Sequence, residues 1–128
     1  ITTAPDYQSA IAAIVAAEQA DRNDLIKGWV FLEDWPLLGM PALPWKPHEL
    51  PVVAIQSSPS AFMYVDQGYL DALVVHPYYQ WGVQSVTTMI EKLHNGQSPE
   101  KRIMRTTPRI VDWRNVEAYR NNWKQWLK

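Results

Sequence analysis

The 128-residue chain contains no cysteine. That absence excludes thiol nucleophiles, cysteine-ligated metal sites and disulfide bonds. It is equally compatible with the periplasm and the cytosol, so the compartment has to be inferred from other features. The sequence also lacks an apolar run as long as a bilayer is thick, and we therefore expect no membrane-spanning helix.

Sequence motifs of the common enzyme classes are missing as well. There is no Gly-x-Ser-x-Gly nucleophile elbow and no glycine-rich phosphate loop. His48-Glu49 lacks the downstream histidine of a zinc-protease motif. Glu33 and Asp34 are neighbours and point to opposite sides of an extended chain, so they cannot form a catalytic carboxylate pair. We expect a protein that binds without catalysis, cofactor or metal.

Charge is nearly balanced overall but unevenly distributed along the chain. The net charge is −1, with ten acidic and four basic residues in positions 1–99 and three acidic and eight basic residues in positions 100–128. A basic tail is one signature of nucleic-acid binding. Tryptophans 113, 123 and 126 interrupt these charges at spacings that favour an amphipathic helix with a solvated basic face. No nucleic-acid partner is therefore expected.

Three short apolar runs predict a parallel β-sheet. They are Gly28–Leu32, Val52–Ile55 and Ala72–Val75, and each has the composition of a strand buried on both faces. Segments with helical character separate them, which indicates an α/β fold with helices flanking a parallel sheet. Two weaker runs, Ile103-Met104 and Ile110-Val111, are interpreted as a last short strand and an edge segment.

Helix boundaries are marked by capping residues. Asp6 is expected to cap a helix over residues 6–20, and Ser58 with Pro59 is expected to begin a second helix that Gly68 ends. Asp112 is expected to cap a terminal helix. Pro77 opens a further helix that stops near His94-Asn95-Gly96, and its inward positions are expected to be Trp81, Val86, Met89, Ile90 and Leu93.

The segment of residues 36–51 contains five prolines, which preclude a continuous helix and predict a loop with at most a turn or two of helix. Trp35 lies just before it. Seven tryptophans in the chain are interpreted mainly as core residues, and Trp29, Trp81 and Trp123 fall on strand or helix stripes. Trp35 instead follows the end of a strand. Two roles are compatible with that position, packing in the core and contact with a ligand.

Candidate binding residues follow the three predicted strands. In open parallel sheets, ligands bind beyond the carboxyl ends of the strands. Asp34 and Trp35 follow the first strand, Gln56 the second and His76 the third. A solvated or capping role is the alternative for Asp34, and His76 can be a core histidine, a metal ligand or a hydrogen-bond partner for a hydroxyl. No second histidine or acid lies at metal-ligand spacing near His76.

The residues of this unit resemble a known family. Ala54-Ile55-Gln56, then Gly68–Val74, His76 and Pro77–Gly82 are similar in order and spacing to the late part of type I periplasmic sugar-binding proteins. These are the ribose- and galactose-binding relatives, which share a fold with the effector domains of LacI-type repressors. Gln56 stands where the family usually has a ligand-binding aspartate, and Pro77 lies one place earlier than the family's proline.

The resemblance implies a sugar site made of Asp34, Trp35, Gln56 and His76. Asp34 takes the position of a sugar-contacting asparagine, Trp35 that of the following aspartate, and His76 that of a glutamine. The implied function is non-catalytic binding of a sugar or similar small polar solute. The chain would be the substrate-binding component of an ABC importer or a chemoreception system, in the periplasm with a membrane permease as partner. The alternative is the ligand-binding effector domain of a LacI-type transcriptional regulator.

The resemblance also implies a division into two parts. Residues 1–75 correspond to a portion of the carboxyl-terminal lobe, and residues 76–128 to a crossover helix, a return segment and a basic terminal helix. The sequence begins at Ile1 without methionine or signal peptide. We expect either an origin in a longer chain or self-association, with exchange of the helix that begins near Tyr78 covering exposed strand edges. Sugar binding by residues 1–128 alone is expected to be weak.

Overall fold

A computed structural model describes residues 4–38, 43–55 and 58–126 of the chain, without the side chains of residues 35 and 126. Its elements, in chain order, are α1 (Tyr7–Ala20), β1 (Trp29–Phe31), a 3-10 turn (Trp35–Leu37), β2 (Val52–Ile55), α2 (Pro59–Asp66), β3 (Ala72–Val75), α3 (Tyr78–Asn95), β4 (Arg109–Val111) and α4 (Val116–Trp126). No helix among the described residues is both long enough and apolar enough to span a membrane.

The four strands form one sheet in the order β1-β2-β3-β4. β1 pairs with β2 in parallel, with Phe31 opposite Ala54. β2 pairs with β3 in parallel, with Ala54 opposite Leu73. The predicted α/β class and the predominantly parallel sheet are therefore confirmed, although the element order alone does not identify one particular α/β fold.

One face of this sheet, the covered face, belongs to the hydrophobic core. It presents Phe31, Ala54, Leu73 and Val111, which are all buried. The same core contains side chains from three helices, namely Ile14 of α1, Ala61, Phe62, Tyr64 and Val65 of α2, and Val116 of α4. Trp29 also donates a hydrogen bond of 2.7 Å from Nε1 to Glu18 Oε1, which ties β1 to α1.

The opposite face of the sheet, the open face, is equally apolar but accessible. Because side chains alternate along a strand, it consists of Val30, Val53, Ile55, Ala72, Val74 and Ile110. Val30 is 68% exposed and Ile110 is 64% exposed, while the other four are half-buried. The prediction that these strands are buried on both faces is therefore wrong for this chain.

The predicted helix boundaries are largely confirmed. Asp6 caps α1 by accepting a hydrogen bond of 2.8 Å from the Ser9 backbone N–H. Ser58 is the N-cap residue of α2, which starts with Pro59, but its hydroxyl does not accept a capping hydrogen bond from the helix. α3 ends at Gly96, which has a φ of 66° in the left-handed region that glycine adopts readily.

Of two predictions near the carboxyl terminus, the short strand at Ile103-Met104 is wrong. Ile103 and Met104 form no strand and are exposed. The predicted cap of the terminal helix is confirmed, because Asp112 precedes the turn that leads into α4 and its carboxylate accepts a hydrogen bond of 2.9 Å from the Arg114 N–H.

The proline-rich segment contains one 3-10 turn and a buried aromatic residue. The predicted absence of a continuous helix is confirmed for the described residues, which exclude residues 39–42. Trp45 is buried, and its ring stacks on Trp29 and Phe31 with centroids 6.2 and 6.3 Å away. The loop therefore extends the core beyond the first strand.

The chain divides into two compact units. The first comprises residues 1–75 and 110–128, and the second comprises residues 76–109. Within the second unit, α3 contains no buried residue. Trp81 is 38% exposed, so its expected place in the core is wrong, and Val86, Met89, Ile90 and Leu93 are exposed as well. Assignment of the two predicted segments, 1–75 and 76–128, to lobes of a sugar-binding protein stays a prediction.

Candidate functional site

Asp34 is a buried carboxylate at the carboxyl edge of the sheet. It follows β1 and the exposed Leu32 and Glu33, and only 7% of its surface is accessible. Its Oδ2 accepts a hydrogen bond of 2.8 Å from the backbone N–H of Ser58, and its own carbonyl accepts one of 2.9 Å from Leu37. Two elements therefore fix this carboxylate, the 3-10 turn after β1 and the start of α2.

Burial of a charged carboxylate is costly unless hydrogen bonds compensate it. The Ser58 N–H provides part of that compensation, and the amino terminus of α2 provides a favourable electrostatic environment for a negative charge. An ionised carboxylate has about four directions in which it can accept hydrogen bonds, and Ser58 uses one. The arrangement is chemically suited to accept further N–H or O–H donors.

The other predicted site residues are only partly described. The backbone of Trp35 lies in the 3-10 turn next to Asp34. Gln56 lies outside the described residues. The parallel pairing of β1, β2 and β3 brings the chain positions after all three strands to one edge of the sheet, as the sequence predicted. Side-chain convergence of the four residues into one site stays a prediction.

His76 begins the second unit and belongs to an aromatic cluster there. The centroid of its ring lies 5.9 Å from that of Tyr78 and 5.4 Å from that of Trp81. The rings of Tyr78 and Trp81 meet edge to face at 5.1 Å. His76 is half-buried among rings, an environment that suits stacking against an apolar ligand face as well as hydrogen bonding.

The second unit also contains an open cleft of about 440 Å³. It lies between one side of α3 and the segment of residues 105–109, with Gln80, Gln84, Arg105 and Arg109 among its lining residues. Trp81 Nε1 donates to Thr106 Oγ1 at 2.5 Å, which holds that segment against α3. The cleft is open, and its lining is a mixture of polar and apolar surface.

Another aspartate, Asp71, lies at the amino edge of the sheet and can be compared with Asp34 at the carboxyl edge. Asp71 precedes β3, is exposed, and accepts a hydrogen bond of 2.8 Å at Oδ2 from the Val52 N–H. It therefore makes the same kind of bond as Asp34, from a carboxylate to a backbone N–H near another strand. Asp71 provides a matched reference for the role of Asp34.

A second cleft, of about 370 Å³, lies at this amino edge. Its lining includes Glu18, Glu49 and Trp45. The indole Nε1 of Trp45 is buried without a hydrogen-bond partner in the part of the chain described. Nothing in the sequence distinguished Trp45 from the other tryptophans, because its burial depends on contacts with β1 that are distant along the chain.

Among the described residues, no group of three or more histidine, aspartate and glutamate side chains is placed to hold a metal ion. The polar group described at the carboxyl edge is one fixed carboxylate, Asp34, which accepts a hydrogen bond from the Ser58 N–H. The sequence predicted Asp34 as a candidate site residue from its place after a strand. It did not identify the Ser58 N–H as its partner, because a backbone group has no signature in the sequence.

We compared the chain with protein families, curated proteins and solved structures. No family model, no curated protein and no solved structure matches it.

Proposed function

We propose that this chain takes part in non-catalytic binding of a sugar or similar small polar solute, as part of the substrate-binding component of an ABC importer or a chemoreception system in the periplasm. The observation that carries the proposal is the position of Asp34, a buried and fixed carboxylate at the carboxyl edge of a parallel sheet. Ligands of open α/β sheets bind at this edge. The resemblance of residues 54–82 to sugar-binding proteins supports the same edge.

Sugar recognition suits the chemistry of Asp34. A carboxylate accepts hydrogen bonds from hydroxyl groups, and hydrogen bonds to charged groups are stronger than those between neutral groups. Because Ser58 already fixes one oxygen, little conformational freedom is lost when a ligand binds. Trp35 follows directly in the chain, and an indole ring at this place would supply a flat face for the apolar C–H groups of a sugar.

The Asp34–Ser58 hydrogen bond also has a structural use, because it anchors the start of α2 to the end of β1. A substitution that removes the charge but retains an acceptor separates the two roles. Asp34→Asn keeps a carbonyl oxygen for the Ser58 N–H and removes the negative charge. Asp71→Asn makes the same chemical change at the opposite edge of the sheet and serves as the matched control.

The test is an NMR titration of the isotopically labelled 128-residue chain with D-ribose and with D-galactose. We expect saturable shifts at the amides of residues 34–35 and 58 with at least one of these sugars, at millimolar affinity. Asp34→Asn is expected to weaken that affinity about tenfold or more, as for a lost hydrogen bond to a charged group. Asp71→Asn is expected to leave it unchanged.

Three outcomes would contradict the proposal. They are an absence of saturable shifts with both sugars, shifts confined to residues away from the carboxyl edge, and equal affinity for the wild-type and Asp34→Asn proteins. The dispersion of the amide spectrum confirms that each variant is folded. Consumption of either sugar during the titration would contradict the expectation that the protein is not an enzyme.

A further inference from the structure

Each of the two units has an apolar surface that is at least partly accessible. The first is the open face of the sheet, made of six aliphatic side chains from all four strands, among which Val30 and Ile110 are the most exposed. Parallel sheets ordinarily have both faces covered by helices. A soluble protein rarely leaves such a continuous apolar surface in water unless something binds to it.

The second surface is a stripe along α3, here called the α3 stripe. It consists of Val83, Val86, Ile90 and Leu93, each of which is at least 49% exposed. Their spacing of three, four and three residues places them on one side of the helix. Ser85, also exposed, lies outside the stripe, about 100° around the helix from Val86.

The two surfaces match in size. The α3 stripe runs from Val83 to Leu93, ten steps along the helix, which corresponds to about 15 Å at about 1.5 Å per residue. The open face is four strands wide, and three spacings of about 4.8 Å give about 14 Å. One helix laid on the sheet would therefore cover it from edge to edge.

We propose that a second copy of this chain covers the open face, with the α3 stripe of each copy packed on the sheet of the other. This exchange uses both exposed surfaces of each chain and makes the same contact twice around a two-fold axis. It would cover the second face of the sheet with a helix, as is usual for parallel strands.

The apolar area available corresponds to a weak, reversible dimer and not to a permanent one. A partly exposed aliphatic side chain has roughly 40 Å² left to bury. Ten of them in each copy provide about 400 Å², which is about two thirds of the lower end of stable interfaces, about 600 Å² per partner. We therefore expect dimerisation in the micromolar range. The charge of α3 does not oppose it, because the helix contains one acidic residue, Glu91, and one lysine, Lys92.

The first test is sedimentation of the full chain and of two pairs of variants. Wild type is expected to be a dimer at micromolar concentrations. Val30→Glu and Val86→Glu should raise the dissociation constant about tenfold or more, because each buries an unpaired carboxylate in the contact. Leu25→Glu and Ser85→Glu introduce the same charge at exposed positions outside both surfaces and should leave it unchanged.

Circular dichroism establishes that each variant folds. If Val30→Glu fails to fold, Val86→Glu still provides the test, because α3 has no buried side chain whose packing the charge would disturb. A wild-type chain that remains monomeric throughout the micromolar range would overturn the proposal. So would dimerisation that is equally strong in Val86→Glu and Ser85→Glu.

The second test identifies the contact and takes advantage of the absence of cysteine. Val53→Cys chains are mixed with Val86→Cys chains and treated with a short bismaleimide cross-linker. We expect a cross-linked dimer from this mixture and none when Ser85→Cys replaces Val86→Cys. Cross-links confined to pairs of Val86→Cys chains would indicate a helix–helix contact. Cross-links within a monomeric Val53→Cys, Val86→Cys double variant would indicate that each chain covers its own sheet, and either result would overturn the proposal.

Discussion

The two faces of the sheet carry similar side chains in different surroundings. The covered face has Phe31, Ala54 and Leu73 packed against α1, α2 and α4, whereas the open face has Val30, Val53 and Ile55 in contact with solvent or only half-buried. Aliphatic composition is therefore a guide to which surfaces should be covered. It does not show whether the covering element comes from the same chain.

The largest difference in the free energy of unfolding is expected between substitutions on the covered face and substitutions on the open face. Leu73→Ala removes a fully buried side chain of the covered face and should lower the free energy of unfolding by about 2–5 kcal/mol. Ile55→Ala removes a side chain of similar size from the open face and should cost about 1 kcal/mol, since less packing is lost. Urea unfolding at low protein concentration measures both. Equal losses would show that the open face is packed.

A smaller difference in stability is expected between alanine substitutions at two glycines that have positive φ. Gly68 has a φ of 76°, and a side chain there would overlap the ring of His48. Gly96, at the end of α3, has a φ of 66° with no neighbouring atom in the way. Gly68→Ala should cost about 2 kcal/mol or more, and Gly96→Ala about 1 kcal/mol, the backbone penalty alone. Thermal unfolding compares them, and a larger loss for Gly96→Ala would contradict the packing described around His48.

The smallest expected effect is a change of stability with pH, and its source is the turn that leads from β4 to α4. Asp112 accepts hydrogen bonds from the side chain and the backbone N–H of Arg114, and these lower the pKa of its carboxyl group below the usual 3.8. The stabilisation is therefore complete above this value and is lost as the pH falls through 3.8 towards the lower pKa of the folded state.

Asp112→Asn tests that dependence. Wild type should be more stable than the variant near neutral pH, and the difference should shrink as the pH falls below about 4. Urea unfolding from pH 3 to pH 7 measures it, and Asp6 and Asp21, whose pKa values are also lowered by hydrogen bonds, affect both proteins equally. A difference that is independent of pH would exclude the carboxylate of Asp112 as its source.

Local features of the fold could be predicted from the sequence because their causes are local. Asp6, Pro59 and Gly96 mark helix ends through capping, a missing N–H and a left-handed backbone, and each is where the sequence predicted a boundary. The strands Val52–Ile55 and Ala72–Val75 were likewise predicted to the residue, from apolar runs between turn residues.

Features that depend on distant contacts could not be predicted in the same way. Trp45 is buried because Trp29 and Phe31 pack against it. Trp81 is exposed because α3 is not packed into the core. The position of Asp34 at the carboxyl edge followed from strand order, but its fixation by Ser58 required the three-dimensional structure.

Amide hydrogen exchange at two protein concentrations tests most directly whether a second copy covers the open face. A helix without buried side chains should exchange rapidly unless another surface holds it. We expect protection of α3 to increase from low to high micromolar concentration, while protection of α2, which is packed in the core, stays constant. Exchange of α3 that is rapid and identical at both concentrations would contradict the account.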